Sequence, residues 1–279
     1  MKDRRVSELD PAGFNELSLC KSGPMVYNKY DTYIGGSLRK YGEFSVGEQE
    51  IFEQIVRPGF IVVEVGANLG GHTVVLSRLV GPHGEVHAFE PQRIVFQTLC
   101  ANLALNQCTN VFATQAGVGA SAGTILVPAL NPAEPCNFGG LSLRDTKFGE
   151  TVPLVTLDSV NLIGCHLLKV DVEGMEVEVL TGGKETIMTY HPLMYLENDR
   201  EERSEELLTL VDQLGYRAYW HFPRLFNPAN FAGDADDIFP NITSANILCV
   251  PRESSMVVGG MRAVASTKER WRTVVQAAE

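Results

Sequence analysis

Positive charge is scarce in this 279-residue sequence: 23 Lys and Arg stand against 34 Asp and Glu, a formal net charge of −11. So acidic a surface repels a phosphate backbone, whose binding needs clustered Lys and Arg, and this argues against nucleic acid as a partner. No window approaches the roughly 18 consecutive apolar residues of a membrane helix, and the opening MKDRRVSELD lacks the apolar stretch of a signal peptide. A cytoplasmic protein without a membrane span is expected. None of the six cysteines (Cys20, Cys100, Cys108, Cys136, Cys165, Cys249) belongs to a CxxC pair, so structural zinc and a redox dithiol are disfavoured and the thiols read as small apolar side chains. Repeats and low-complexity tracts are missing as well.

What is present is enough apolar residue, 44%, to build a large core, in one main domain with embellishments. Residues 1–55 form an N-terminal cap region, with Gly-rich turns and an amphipathic stretch, SVGEQEIFEQIV, whose Ile51, Ile55 and Val56 share a helical face. Pro58-Gly59 marks a turn, and the β-branched run Phe60–Val63 after it predicts a buried parallel strand. Helix and strand then alternate: HTVVLSRLV, GEVHAFE, IVFQTLCANLALN and NVFATQA, followed by an extra strand at GTILVPA. A Pro/Gly-rich insertion spans 128–150. HLLKVDVE, HPLMYLEN, GYRAYWHF and SANILCVP read as strands, with EVEVLTGGKETIM and SEELLTLVDQL as helices between them. Such alternation predicts an α/β, Rossmann-like fold over 56–252: a mostly parallel seven-stranded sheet with helices on both faces. The tail 253–279, carrying Met261, Val264, Trp271 and Val274, is amphipathic and expected to pack on the domain or on a second subunit, as in a homodimer.

Two segments carry chemistry. After the first strand of the core comes Glu64-Val65-Gly66-Ala67-Asn68-Leu69-Gly70-Gly71, whose glycines allow a sharp turn and bring backbone N–H groups to a ligand at a helix N-terminus. Asn68 occupies the place where a dinucleotide fold needs a second glycine for the pyrophosphate, which disfavours NAD. Glu64 is a carboxylate inside the strand's last turn, costly to bury unless a cation or several donors meet it. S-adenosylmethionine, cationic and without a pyrophosphate, suits both details. Glu90-Pro91 ends the next strand 24 positions after Gly66, where an acidic residue takes ribose hydroxyls.

The second segment is Leu167-Leu168-Lys169-Val170-Asp171-Val172-Glu173-Gly174. At a strand's carboxyl end Asp171 and Glu173 should face the crevice that holds Gly66 and Glu90, able to hold an amine, take a substrate proton or bind a divalent ion such as Mg²⁺ through oxygen ligands. Helix N-capping is the plainer alternative for both. Glu197 and His221 end later strands and join them as candidate bases. Trp220, His221, Phe222 and the 128–150 insertion offer aromatic faces and loops over the crevice, or merely core. Glu197-Asn198-Asp199-Arg200 is expected to line the acceptor side, the plainer alternative for Arg200 being a pair with Glu201 or Glu202 on a helix surface. His72 touches a ligand or packs in its helix, and the other four histidines read as structural.

The glycine turn, Phe89-Glu90-Pro91, the LKVDVEG segment and LENDR together resemble the FkbM family of class I S-adenosylmethionine-dependent methyltransferases, over about residues 45–250. The resemblance implies cofactor contacts at Glu64, Gly66, Ala67, Asn68, Gly70, Thr73, Glu90, Pro91 and Asp171, and an active-site edge at Asp171. It implies O-methylation of a hydroxyl, and the segment WHFPRLFNPANFAGD…IFPNITSANILCVP is similar to that of members associated with glycan modification. Two rivals stay open: an NAD(P)-dependent oxidoreductase, against which stand Asn68 and the lack of a Tyr-x-x-x-Lys pair, and a protein that binds the cofactor without turnover. Gly182-Gly183-Lys184 fails the GxxxxGK spacing of a P-loop.

Overall fold

The computed structural model describes residues 5–7, 12–144 and 146–276; the ends of the expected cap and tail and one position of the insertion lie outside the described residues. The N-terminal part holds β1 (Arg5–Ser7), β2 (Asn15–Cys20), β3 (Gly23–Asn28), α1 (Ile34–Tyr41) and α2 (Val46–Ile55). The first half of the core follows as β4 (Ile61–Val65), α3 (Thr73–Val80), β5 (Glu85–Phe89), α4 (Arg93–Leu105) and β6 (Val111–Thr114). Three short strands come next: β7 (Gly117–Val118), β8 (Gly123–Val127) and β9 (Glu150–Val155). The second half has β10 (Leu167–Val170), α5 (Glu176–Thr181), α6 (Lys184–Tyr190), β11 (Leu193–Glu197), α7 (Glu201–Gln213), β12 (Tyr216–His221) and β13 (Asn246–Pro251). The tail adds β14 (Arg262–Ala263) and α8 (Trp271–Gln276).

The main sheet runs β14-β12-β13-β11-β10-β4-β5-β6, parallel from β11 to β6 and antiparallel where β13 pairs with its neighbours. Seven of these strands are the expected ones; the two-residue β14 extends the edge, because the tail turns back along β12. Alternation along β4 and β10 divides the core. Val63, Val65, Leu168 and Val170 pack with Val179, Leu180, Leu207 and Leu208 of α5 and α7 on one face. Val62 and Leu167 pack with Phe52 of α2 and Leu76 and Val80 of α3 on the other. Glu64 and Lys169 alternate in step with Val62 and Leu167, so they point to the face that α2 and α3 cover.

The chain leaves β4 toward β5 and β6, then returns to lay β10 on the other side of β4. That reversal opens a crevice outside the carboxyl ends of β4 and β10, the place where doubly wound sheets bind ligands. GTILVPA, read as an extra strand, is β8, yet it lies in a separate small sheet ordered β7-β9-β8. EVEVLTGGKETIM, read as one helix, is two. A Cβ on Gly182 would meet the Gly119 carbonyl oxygen at 2.0 Å and one on Gly183 would meet Leu157 at 2.7 Å, so the chain bends where only glycine lets it approach. The tail packs on this domain: Val264, Trp271 and Val274 join the core, and the Trp271 indole N–H donates to the Asp199 carbonyl at 2.8 Å.

Candidate active site

The glycine turn is held by its neighbours on both sides. The N–H groups of Gly66 and Ala67 both donate to the Phe89 carbonyl at 3.0 Å, and Gly66 adopts φ +85°, a conformation that suits glycine. A Cβ there would stand 1.8 Å from the Asp171 carbonyl oxygen, so the turn and the end of β10 are in direct backbone approach. Glu90, buried at the end of β5, bridges two loops: Oε2 accepts from Asn68 N–H at 3.0 Å and Oε1 from Gln92 N–H at 2.8 Å. Burial pushes its carboxyl up to about 7 against those two donors. Asn68 itself has φ 50° and turns its Oδ1 onto Leu69 N–H at 2.7 Å.

Beneath the turn lies a charged cluster. Lys169, 2% exposed, places its ammonium 3.6 Å from Glu64 Oε1 and 3.4 Å from Asp171 Oδ2, while Thr73 donates its hydroxyl to Glu64 Oε2 at 2.7 Å. Burial alone would lower the lysine, but Asp171, Glu64 and Glu48 outweigh it and hold the ammonium above its ordinary range. The cation that buried Glu64 requires is therefore supplied by the chain itself, where the sequence pointed to a ligand for that role. Glu48, from α2, belongs to the same cluster: Ser45 Oγ donates to its Oε1 at 2.8 Å, and burial raises it to about 7 in spite of Lys169. His72 sits against Glu48 with Nδ1 3.9 Å from Oε2; burial, then the charge of Lys169, keeps its ring neutral.

A second acidic group lies at the carboxyl ends of β10 and β11. Asp171, Glu173 and Glu197 offer oxygens that all lie within 4.8 Å of one another. Among the described residues this is the one group with the spacing to hold a divalent cation, and the Mg²⁺ expectation has this spacing behind it and no further support. Glu173 takes φ 56°, unusual for a residue with a side chain, and ion-pairs with Arg200, whose Nε also lies 3.4 Å from Asp199 Oδ1. Arg200 thus points inward and lines the cavity with Glu197 and Asp199, in place of the alternative surface pairs with Glu201 or Glu202. Burial and the adjacent Asp171 push Glu173 up to about 8 despite the guanidinium. Burial, then Asp171, Glu173 and Asp199, raise Glu197 well above the ordinary carboxyl range.

Both groups open on one cavity of about 420 Å³. Of the residues singled out in the sequence, Glu64, Gly66, Ala67, Asn68, Glu90, Pro91, Asp171, Glu173 and Glu197 line it. Gly70 and Thr73 stand behind the wall, Gly70 packed toward Leu99 and Thr73 holding Glu64. His221 is separated from it: its Nδ1 is 2.7 Å from the Tyr195 hydroxyl, which also accepts from Asn246 at 2.9 Å, and burial lowers the ring to about 4. The aromatic wall placed at Trp220 and Phe222 is core as well. Trp220 is 2% exposed, stacks on Phe222 at 5.5 Å and donates its indole N–H to Glu269. Aromatic cover comes instead from Tyr33 and Phe44, with Asn137, Leu141 and Leu143 of the insertion and Leu225 and Ile242–Asn246 on the other sides.

Lys169 and Glu48 were not singled out in the sequence. A lysine in the middle of the apolar run LLKV was the available signal for the first; Glu48, in a helix read by its apolar face, gave none.

A sheet in this order, with its site at the point where strand order reverses, defines a Rossmann-like α/β protein of the methyltransferase type. The family model of the methyltransferase FkbM domain matches residues 64–218, and the chain belongs to that family. Among curated proteins it is similar to Methyltransferase 1 of Beauveria bassiana (strain ARSEF 2860), 28% identical over a 144-residue alignment that covers 43% of this chain and 57% of that protein. Among solved structures it is similar to the methyltransferase FkbM of Methylobacillus flagellatus KT, at 19% identity and a TM-score of 0.44 over 72% of this chain and 50% of that one. It is also similar to the fibrillarin of Aeropyrum pernix, solved with natively bound S-adenosyl-L-methionine, at 13% identity and a TM-score of 0.46 over 88% and 97% of the two chains. The first two matches thus take in little more than half of the relatives' own lengths.

Proposed function

We propose that this protein is an S-adenosylmethionine-dependent O-methyltransferase acting on a hydroxyl of a sugar, glycan or glycosylated metabolite, with 56–252 as its catalytic domain, 1–55 as a cap and 253–279 as a packing tail. The observation that carries it is the single cavity joining Glu90, fixed on the glycine turn, to the acidic ends of β10 and β11. The residues fit the donor. Glu90 has both oxygens anchored by backbone N–H groups and shares the cavity with the apolar Ala116, Val118, Ile125 and Leu154, a combination that suits a ribose and an adenine. Asn68 folds its amide over the turn and stands against the close approach that a pyrophosphate makes, which disfavours the oxidoreductase reading.

When bound, the donor supplies an electrophilic methyl carbon, whose bond to sulfur breaks as its bond to the acceptor oxygen forms, leaving a neutral thioether. Asp171, partly exposed at the cavity wall, takes the proton that the hydroxyl loses, a role worth typically about 10²–10⁴-fold. Lys169 fixes one of its oxygens from below. Tyr33, Phe44 and Leu225 narrow the cavity and exclude water around the acceptor, so that positioning contributes alongside proton transfer. Glu173 and Glu197 orient the acceptor. His221 acts at one remove, through Tyr195 and Asn246.

Calorimetry separates the readings: S-adenosylhomocysteine binds and NADH does not. Transfer from methyl-labelled cofactor to a panel of glycosides then distinguishes an enzyme from a protein that only binds. No transfer to any hydroxyl, with the cofactor product bound, would favour the latter. No helix among the described residues is long and apolar enough to cross a membrane.

A further inference from the structure

The charge in the cavity is lopsided. Among the described residues, seven carboxyl side chains line it against one lysine and one arginine, and the one histidine there is neutral. Most of these acids have their partners within the chain. Lys169 serves Glu64 and Asp171, Arg200 serves Glu173 and Asp199, and two backbone N–H groups serve Glu90. Glu197 is the exception: its Oε2 is closed off from solvent and has no hydrogen-bond partner among the described residues. An unmet buried carboxyl oxygen is costly, and a donor that carries positive charge relieves it best.

We propose that the acceptor carries a protonated amine beside the hydroxyl that reacts, and that this amine sits on Glu197, with Glu173 and Asp171 at its sides. The spacing fits: three oxygens each about 2.8 Å from one ammonium nitrogen stand about 4.6 Å apart, and those of Asp171, Glu173 and Glu197 lie within 4.8 Å of one another. Asp171 Oδ2 already faces Lys169, but each carboxylate oxygen carries two lone pairs, so the ammonium leaves a site on Asp171 for the hydroxyl proton. Anionic acceptors, such as phosphorylated or nucleotide-linked sugars, meet a wall of carboxyl groups there, and both cations in the cavity are already ion-paired. The proposal rests on the O-methyltransferase reading and narrows its substrate class to amino sugars and other hydroxylated amines.

The test uses the full-length protein saturated with S-adenosylhomocysteine, titrated by calorimetry with matched probes: glucosamine and glucose, tyramine and 4-hydroxyphenylethanol, and glucose 6-phosphate, each with and without Mg²⁺. At least one amine is expected to bind tenfold or more tighter than its neutral partner. Glucose 6-phosphate should not bind under either condition, and Glu197→Gln should erase the tenfold preference while S-adenosylhomocysteine affinity changes less than threefold. Melting curves with and without S-adenosylhomocysteine confirm that the variant is folded. Equal binding of amine and neutral partner, no binding of any amine, or binding of the phosphate once Mg²⁺ is added overturns the proposal. Failure of the wild-type protein to bind S-adenosylhomocysteine at the start overturns the underlying reading instead, so the two failures are told apart.

Discussion

Lys169 and Glu64 stand side by side in the register of β10 and β4, with ammonium and carboxylate 3.6 Å apart and almost no solvent on either. An ion pair so deep adds little net stability, since desolvating two charges offsets most of their attraction. Here it links the turn that carries Gly66 to the strand end that carries Asp171.

Removing one partner of such a pair leaves the other uncompensated. Lys169→Met is expected to destabilise the fold by about 3–5 kcal/mol. The loss should depend on pH. Glu48 and Glu64 already lie above the ordinary carboxyl range because of burial, and without the lysine they lie higher still. A group whose folded pKa exceeds its unfolded one contributes stability that is lost as pH rises through the folded value. Urea unfolding at pH 6 and pH 8 should therefore show the larger deficit at pH 8; the same deficit at both would mean that the lysine matters for packing alone.

The wild-type protein should show the same sign in milder form. Burial raises Glu48, Glu90 and Glu176 to about 7. Their contributions are fully present below an unfolded carboxyl pKa of about 4.3 and disappear as pH climbs through 7, so stability should fall from pH 5 to pH 8. Glu48→Gln, which cannot ionise, should flatten that slope by about 2 kcal/mol, since a tenfold change in a protonation equilibrium corresponds to about 1.4 kcal/mol. Denaturant midpoints across the range measure it, and an unchanged slope in the variant would clear Glu48 of the effect.

Legibility in the sequence followed the range of the interactions. Strands β4, β5 and β10 were readable because a β-branched run bounded by glycine or proline is local information. Gly66, Glu90 and Asp171 were readable because each follows such a strand at its carboxyl end, and the strand places them. The hairpin of β2 and β3 escaped notice, its residues NELSLC and GPMVYN being too mixed for an alternation to stand out. It is held by distant partners such as Asn102, which accepts from Val26 N–H at 2.7 Å. Glu48 looks like a surface residue, and the partners of Lys169 stay hidden, until β4, β10 and α2 are assembled. The misplacement of Trp220 and His221 has the same origin: their alternation on β12 was visible, but that β13 and the tail would bury them was not.

Gly66→Ala should be among the most damaging single substitutions. The added methyl would stand 1.8 Å from the Asp171 carbonyl oxygen in a backbone conformation that side chains rarely adopt, and the obstacle is backbone that cannot rotate away. We expect a loss of about 3 kcal/mol or more and no measurable S-adenosylhomocysteine binding. Gly59→Ala serves as the control: it has a similar positive φ, but nothing lies within 4 Å of its added Cβ. It should cost only about 1 kcal/mol and leave binding intact. Thermal melts and calorimetry on the two variants compare contact with backbone strain, and equal losses would assign the cost to φ alone.

Asp171 and Glu90 line one cavity and should separate in kinetics. If Asp171 accepts the hydroxyl proton, Asp171→Asn keeps the shape and removes the base, so kcat should fall by about 10²–10⁴ while S-adenosylhomocysteine affinity changes by no more than a few-fold. Glu90→Gln retains an oxygen for one of its two backbone donors but gives up the other and the negative charge beside the glycine turn. It should weaken S-adenosylhomocysteine by about tenfold or more and leave kcat at saturating cofactor within a few-fold of wild type. Isothermal titration and initial rates with methyl-labelled cofactor report the two quantities independently. An Asp171→Asn enzyme of undiminished kcat would move the base to another carboxylate, and the neighbours raised by burial, Glu173 first, would be the next to replace.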